Sequence, residues 1–246
     1  VGGGRPSGAC YFRASRRRSS PACAPSLPNT ALPATRLLAP AAKFICVIAA
    51  LAYFAMANGQ GIHTFIDAAG TERTVYWARY VDWALTTPLL LIGLATVGMP
   101  RVRALHAREQ NGRVGGLVGA DLMMIATGLF ASLSVQTHMR WSWFAIGCVA
   151  FIVVLYLIAG PLRMDAVSRG SEHSKLYTRL LTTLIVLWLV YPLVWIAGTE
   201  GQGTINLGQE VAIFAVVDVL AKVGFGVLLV TGSANLRDKD EKHVSR

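Results

Sequence analysis

The sequence predicts an all-α fold, a transmembrane helical bundle, and three observations carry that reading. Apolar residues make up 54% of the 246 and charged residues 15%, against about 25% charged in an ordinary globular chain. After Pro40 six apolar blocks follow one another, each near the ~20 residues that a helix needs to cross ~30 Å of hydrocarbon. Turn chemistry separates the blocks.

The first block, 41–58, stops at Asn58-Gly59. The second, 76–99, follows a turn at Ala69-Gly70 and ends before Pro100. Gly115-Gly116 opens the third, 115–136, and Gly160-Pro161 closes the fourth, 141–161. The fifth, 177–198, precedes the glycines at 201 and 203, and the sixth covers 210–232. Pro88 and Pro192 fall inside blocks, which a membrane bundle tolerates because neighbouring helices re-satisfy the freed carbonyls.

The formal net charge of +10 looks like a nucleic-acid signal until it is located. Arg5, Arg13, Arg16, Arg17, Arg18, Arg36 and Lys43 precede the first acid, Asp67. The remainder is nearly balanced and has no basic stripe interleaved with aromatics, so no nucleic-acid partner is expected. Residues 1–40 hold six of the ten prolines with many Ser, Ala and Arg. Such a segment is a disordered basic tail, a transit-like presequence, or a defective reading start; beginning at Val1 favours the last. The bundle is expected over 41–235, with a charged tail at 236–246. Cys10, Cys23, Cys46 and Cys148 form no paired spacing, and no metal site is read from them.

Loop charge orients the bundle. Arg101, Arg103, Arg108 and Arg113 lie in one loop, Arg163, Arg169 and Lys175 in another, and Arg237, Lys239, Lys242 and Arg246 at the C-terminus. The alternate loops hold only Arg73 and, at a helix mouth, Arg140. The basic loops and the C-terminus are therefore expected in the cytoplasm, and the chain is a multi-pass protein of the cell membrane.

Ionisable groups within the blocks are few, and such groups normally face the bundle interior. Arg79, Asp82 and Thr86 share one face of the second block at steps of three and four. Asp218 and Lys222 stand one turn apart on the last. Such a lysine either fixes packing as half of a buried ion pair or, made reactive by burial, condenses with an aldehyde. A cationic product would need a carboxylate counterion, for which Asp82 and Asp218 are candidates. Trp83, Trp143, Phe144, Trp188, Tyr191 and Trp195 supply aromatic surface; alone they read as core, and beside the lysine and two acids as the wall of a chromophore site.

Four stretches then resemble the microbial (type 1) rhodopsins. Arg79-Tyr-Val-Asp82-Trp-Ala-Leu-Thr86-Thr-Pro-Leu-Leu-Leu is similar to their third helix, and Gly119-Ala-Asp121-Leu-Met-Met124-Ile-Ala-Thr127-Gly128 to their fourth. Trp188-Leu-Val-Tyr191-Pro192-Leu-Val-Trp195 is similar to the sixth, and Asp218-Val-Leu-Ala-Lys222-Val-Gly-Phe-Gly to the seventh. The six blocks correspond to helices B to G of that seven-helix fold, with helix A not recognisable.

The resemblance implies all-trans retinal bound to Lys222 as a Schiff base, with Asp82 as counterion and proton acceptor and Asp218 as second counterion. It makes Arg79 an outward gate and Glu200 with Glu210 an outer proton-release pair. Trp83, Thr87, Leu90, Asp121, Met124, Gly128, Trp143, Phe144, Trp188, Tyr191, Pro192 and Trp195 would surround the chromophore. The triad reads Asp82, Thr86 and Gly93, resembling outward proton pumps that lack the inner carboxylate donor. The chloride-pump and sodium-pump patterns do not hold.

The resemblance thus implies a light-driven outward proton pump, a transporter rather than an enzyme. The alternatives are a sensory rhodopsin signalling through a separate transducer, and a channel or scaffold that does not pump. Ala221 before Lys222 favours the pump. A homo-oligomer in the lipid bilayer is expected, and Phe144 stands where carotenoid-antenna members carry Gly, so no antenna is expected.

Overall fold

The computed structural model describes residues 37–99 and 104–244. The expectations for the segment before residue 37 lie outside the described residues. Among the described residues the order is helix α1 (Leu38–Ala57), a hairpin of β1 (His63–Ile66) and β2 (Glu72–Val75), then helices α2 (Trp77–Gly98), α3 (Ala104–Leu133), α4 (Thr137–Ala159), α5 (Pro161–Ser168) and α6 (Ser171–Ala197). Helix α7 (Leu207–Val219) passes through a π-helical turn (Leu220–Gly224) into α8 (Phe225–Val244). Among the described residues six helical stretches are long and apolar enough to span a bilayer, in agreement with the six blocks.

Burial is arranged for a solvent of lipid. Phe44, Leu51, Phe54, Ile152, Tyr156 and Leu193 project outward, where acyl chains take the place of water and apolar exposure carries no hydrophobic cost. The polar groups point inward: Arg79, Asp82, Thr86, Asp121, Asp218 and Lys222 are all at most 3% exposed. One apolar cluster, with Leu91, Leu94, Leu180, Leu184 and Phe225, fills the half away from the hairpin. A second, with Val75, Tyr80, Trp83, Val194 and Phe214, fills the hairpin half.

Several helices outrun their apolar blocks. α3 starts at Ala104 rather than 115, α6 at Ser171 rather than 177, and α8 continues to Val244 through the charged segment assigned to the tail. Hydropathy measures the thickness of hydrocarbon to be crossed, whereas the backbone ladder continues wherever polar side chains reach water. The Gly115-Gly116 pair lies inside α3 and does not break it. Gly160-Pro161 does separate α4 from α5, with Pro161 at the first helical position, where its missing N–H costs no bond. Arg169 caps the end of α2, donating to the carbonyls of Val97 at 2.6 Å and Met99 at 3.1 Å.

The hairpin was not expected beyond its turn. β1 and β2 pair antiparallel with His63 opposite Val75 and Ile66 opposite Glu72. The four-residue strands lack a clean alternation of apolar and polar side chains, so their pattern carries little strand signal. Asp67 makes the turn: its Oδ1 accepts the backbone N–H of Ala69 at 2.9 Å and of Thr71 at 3.0 Å. Gly70 takes φ of +82°, a conformation that glycine adopts without steric cost.

Candidate functional site

The centre of the bundle is an ion cluster built by α2 and the α7–α8 rod. Lys222 Nζ donates to Asp82 Oδ2 and lies 3.4 Å from Asp218 Oδ2. The π-helical turn at Leu220–Gly224 contains Lys222, so the local ladder departs from α geometry at the residue that carries the amine. Thr86 donates to the Asp82 carbonyl at 2.8 Å, with its hydroxyl 3.4 Å from Asp82 Oδ1. Asp218 accepts from Tyr53 at 2.7 Å, Tyr191 at 2.6 Å and Trp83 Nε1 at 3.1 Å. Three donors on three elements hold this carboxylate in place.

Lys222 and Asp218 border a largely apolar cavity, and such a lining with a few convergent polar groups marks a small-molecule site. Trp83, Thr87, Leu90, Met124, Gly128, Phe144, Trp188, Tyr191, Pro192 and Trp195 line it, as the sequence predicts. Phe144 stacks on Trp195 with ring centres 4.1 Å apart and planes at 11°. Gly128 and Gly147 keep the wall thin: a Cβ on Gly147 would meet Thr127 Oγ1 at 3.0 Å. An amine and balancing carboxylates at the edge of an aromatic-walled cavity fit a long apolar aldehyde such as retinal.

Two expected wall residues stand elsewhere. Trp143 does not line the cavity but packs on Phe130, ring centres 5.3 Å apart. Adjacent residues on a helix point about 100° apart, so Trp143 and Phe144 do not both face inward. Asp121 is fully buried one layer back, its Oδ2 2.8 Å from Thr87 Oγ1; Thr87 lies between it and the cavity. Ile125, Gly147, Cys148, Phe151, Phe214 and Ala221 line the cavity without having been foreseen.

At the hairpin end the remaining acids gather. A capping box between Asn206 and Gln209 starts α7 and sets Glu210 in its first turn, where the helix dipole favours a carboxylate. Glu210 Oε2 accepts from Thr199 N at 2.7 Å and Thr199 Oγ1 at 2.8 Å. Glu210 Oε1 lies 3.6 Å from Arg79, whose guanidinium sits 4.3 Å over the Phe214 ring. Arg79 thus pairs with Glu210, and its Nε and Nη2 have no protein partner among the described residues.

Glu200 is 3% exposed, outside the spans, and accepts from Tyr80 at 3.1 Å. The Tyr80 hydroxyl lies 2.5 Å from Ser132 Oγ, which accepts from Trp195 Nε1 at 3.0 Å. Burial first, then the charge of Glu210, push the Glu200 carboxyl up to about 7. Tyr53, Tyr80, Ser132 and Thr199 went unnoticed in the sequence. Tyr53 alone left a signal, as the one phenol hydroxyl within the first block.

The half of the bundle away from the hairpin holds Gly93: a Cβ there would lie 2.8 Å from Leu229 Cδ2 and 4.0 Å from Leu38 Cδ2. Its surroundings are aliphatic.

Comparison with known proteins finds relatives in both sequence and structure. The family described as bacteriorhodopsin-like protein matches residues 28–236. Archaerhodopsin-3 of Halorubrum sodomense is 42% identical over 193 residues, 78% of this chain and 71% of that protein. Bacteriorhodopsin of Haloterrigena sp. (strain arg-4) is 44% identical over 188 residues, 76% and 71% of the two chains. Among solved structures, thermophilic rhodopsin from Rubrobacter xylanophilus superposes with a TM-score of 0.75 at 40% identity, covering 83% of this chain and 85% of that one. A light-driven proton pump from Leptosphaeria maculans gives 0.71 at 35% identity, covering 82% and 83%.

Proposed function

Because the chain belongs to the bacteriorhodopsin-like family, we propose that it is a light-driven pump carrying protons outward across the cell membrane. The observation that carries this reading is the contact of Lys222 Nζ with Asp82 at the edge of an aromatic-walled cavity. Lys222 would hold all-trans retinal covalently through Nζ, between Trp83, Trp188, Tyr191 and Trp195. When bound, retinal supplies a light-triggered isomerisation that lowers the proton affinity of the Lys222 nitrogen.

Asp82, as the nearest carboxylate, then takes the proton from Nζ. Thr86 orients the acceptor through its bond to the Asp82 backbone. Asp218 serves as the second counterion, fixed in place by Tyr53, Tyr191 and Trp83, which all donate to it. Arg79 already lies against Glu210; once Asp82 is neutral, no charge on Asp82 competes for the guanidinium, and a proton leaves from the pair of Glu210 with Glu200. Tyr80 and Ser132 connect Glu200 to Trp195 and so to the cavity wall.

The inner half works differently from the outer. Gly93 offers no carboxylate, so Lys222 regains its proton from bulk water. With the basic loops and C-terminus in the cytoplasm, the hairpin end faces outward and the direction of transport follows. Phe144, stacked on Trp195, closes the space that an antenna carotenoid would need. Illuminating cells that contain the chain and retinal should acidify the medium, and a protonophore should abolish the change. Light without acidification, or with alkalinisation, would refute the reading.

A further inference from the structure

Outside the proton path, Asp67 in the hairpin turn is 5% exposed and carries more partners than a turn requires. Its Oδ1 makes the turn, while its Oδ2 meets Arg73 Nε at 2.6 Å and Arg140 Nη2 at 3.2 Å. Each arginine reaches on to another element. Arg73 donates through Nη1 to the carbonyl of Thr199, the residue whose N–H and hydroxyl hold Glu210. Arg140 donates to the Ser134 carbonyl at 3.2 Å and lies within electrostatic reach of Glu200. One carboxylate therefore ties the hairpin, the α3–α4 junction and the turn before α7 together.

We propose that Asp67 is a positioning residue for proton release, acting through Arg73 and Arg140 to set the proton affinity of Glu200. The inference rests on the pump reading. Both arginines are cations beside the release acids, and Asp67 offsets their charge. With Asp67 ionised, Arg140 stays on Asp67 and the Ser134 carbonyl, and Glu200 takes its hydrogen bond from neutral Tyr80. Without it, uncompensated positive charge would favour ionised Glu200.

The charged and titratable groups that act on Glu200 are Arg79 and Tyr80 on α2, Glu210 on α7 and Arg140 on α4; the Asp67–Arg73 pair on the hairpin reaches it through Arg140 and the Thr199 carbonyl. Ser132 on α3 adds a hydroxyl. Asp67 is itself held well below the ordinary carboxylate range, first by Arg73, then by the Thr71 N–H, with Arg140 and the Ala69 N–H adding to it. It remains ionised across the range in which Glu200 titrates, so its effect is a constant field and not a second titration.

The test is flash-induced proton release from the retinal-loaded protein, followed with a water-soluble pH dye. Release should precede uptake above the pKa that Glu200 takes once Asp82 is protonated, and follow it below. The crossover pH of the unmodified protein is the reference. Asp67→Asn should move it down by about one unit, and Asp67→Glu should return it toward its original value. Arg73→Gln removes a cation and should move the crossover up. Opposite shifts support the inference, because a merely loosened hairpin would move both variants alike. The visible maximum should stay fixed in all three, since neither residue lines the cavity. Shifts of the same sign, or no shift in Asp67→Asn, would overturn the inference. If Asp67→Asn does not fold, the upward shift in Arg73→Gln still decides it. Absence of any light-induced release from the unmodified protein would instead refute the pump reading itself.

Discussion

Leu229 on α8 occupies the space that a side chain at Gly93 on α2 would need: a Cβ built on Gly93 comes within 2.8 Å of Leu229 Cδ2. The contact is with the free end of a flexible side chain, so a larger residue at 93 forces Leu229 to turn. An aspartate there would meet Leu229 and Leu38, so its carboxyl group has no unobstructed place to sit. Gly93→Asp alone should therefore restore an inner donor poorly. Combining it with Leu229→Ala makes room for the carboxyl group, and the double variant should reprotonate Lys222 more than about tenfold faster at pH 9 than the unmodified protein. Flash photolysis measures both rates.

Lys222→Ala should abolish visible absorption after addition of all-trans retinal while leaving the chain inserted in the membrane. Asp82 and Asp218 lose their common cation, yet both keep other hydrogen-bond partners. Colour retained in this variant would show that another nitrogen holds the chromophore.

Much of this arrangement was legible in the sequence, for a physical reason. Hydrocarbon demands long apolar helices, and it makes each intramembrane charge conspicuous, so Arg79, Asp82, Asp218 and Lys222 stood out. Residues that act through hydroxyls did not. Tyr80, Ser132 and Tyr53 become informative only when another helix brings Glu200, Trp195 or Asp218 to them. Trp143 failed for a different reason: composition does not say which of two neighbouring aromatics faces inward. Asp67 was noticed only as the first acid of the chain, because its arginine partners lie six and 73 residues further along.

Leu90 is 2% exposed and lines the cavity. A polar amide at this position would stabilise the positive charge of the ground state and raise the excitation energy. Leu90→Gln should shift the visible maximum to shorter wavelength from a green-absorbing parent. An unchanged or longer-wavelength maximum in the spectrum would mean that Leu90 does not border the chromophore.

Tyr53 ties α1 to α7 through its bond to Asp218. Tyr53→Phe removes a hydrogen bond to a charged acceptor, worth about 1.5–3 kcal/mol. Asp218 retains Tyr191 and Trp83, so the cost should fall toward the lower figure. Thermal bleaching should reveal it as a lowered Tm with little change in colour.

A pump with Asp82 as acceptor and no inner carboxylate must refill Lys222 from bulk water, and the pH dependence of that step tests it most directly. Flash photolysis from pH 6 to 9 would follow reprotonation of the Lys222 nitrogen. Uptake from bulk is first order in protons, so the rate should fall about tenfold per pH unit, and azide, a small mobile acid, should accelerate it. A fast rate that stays flat across this range would reveal a pre-loaded internal donor and contradict the proposed inner pathway.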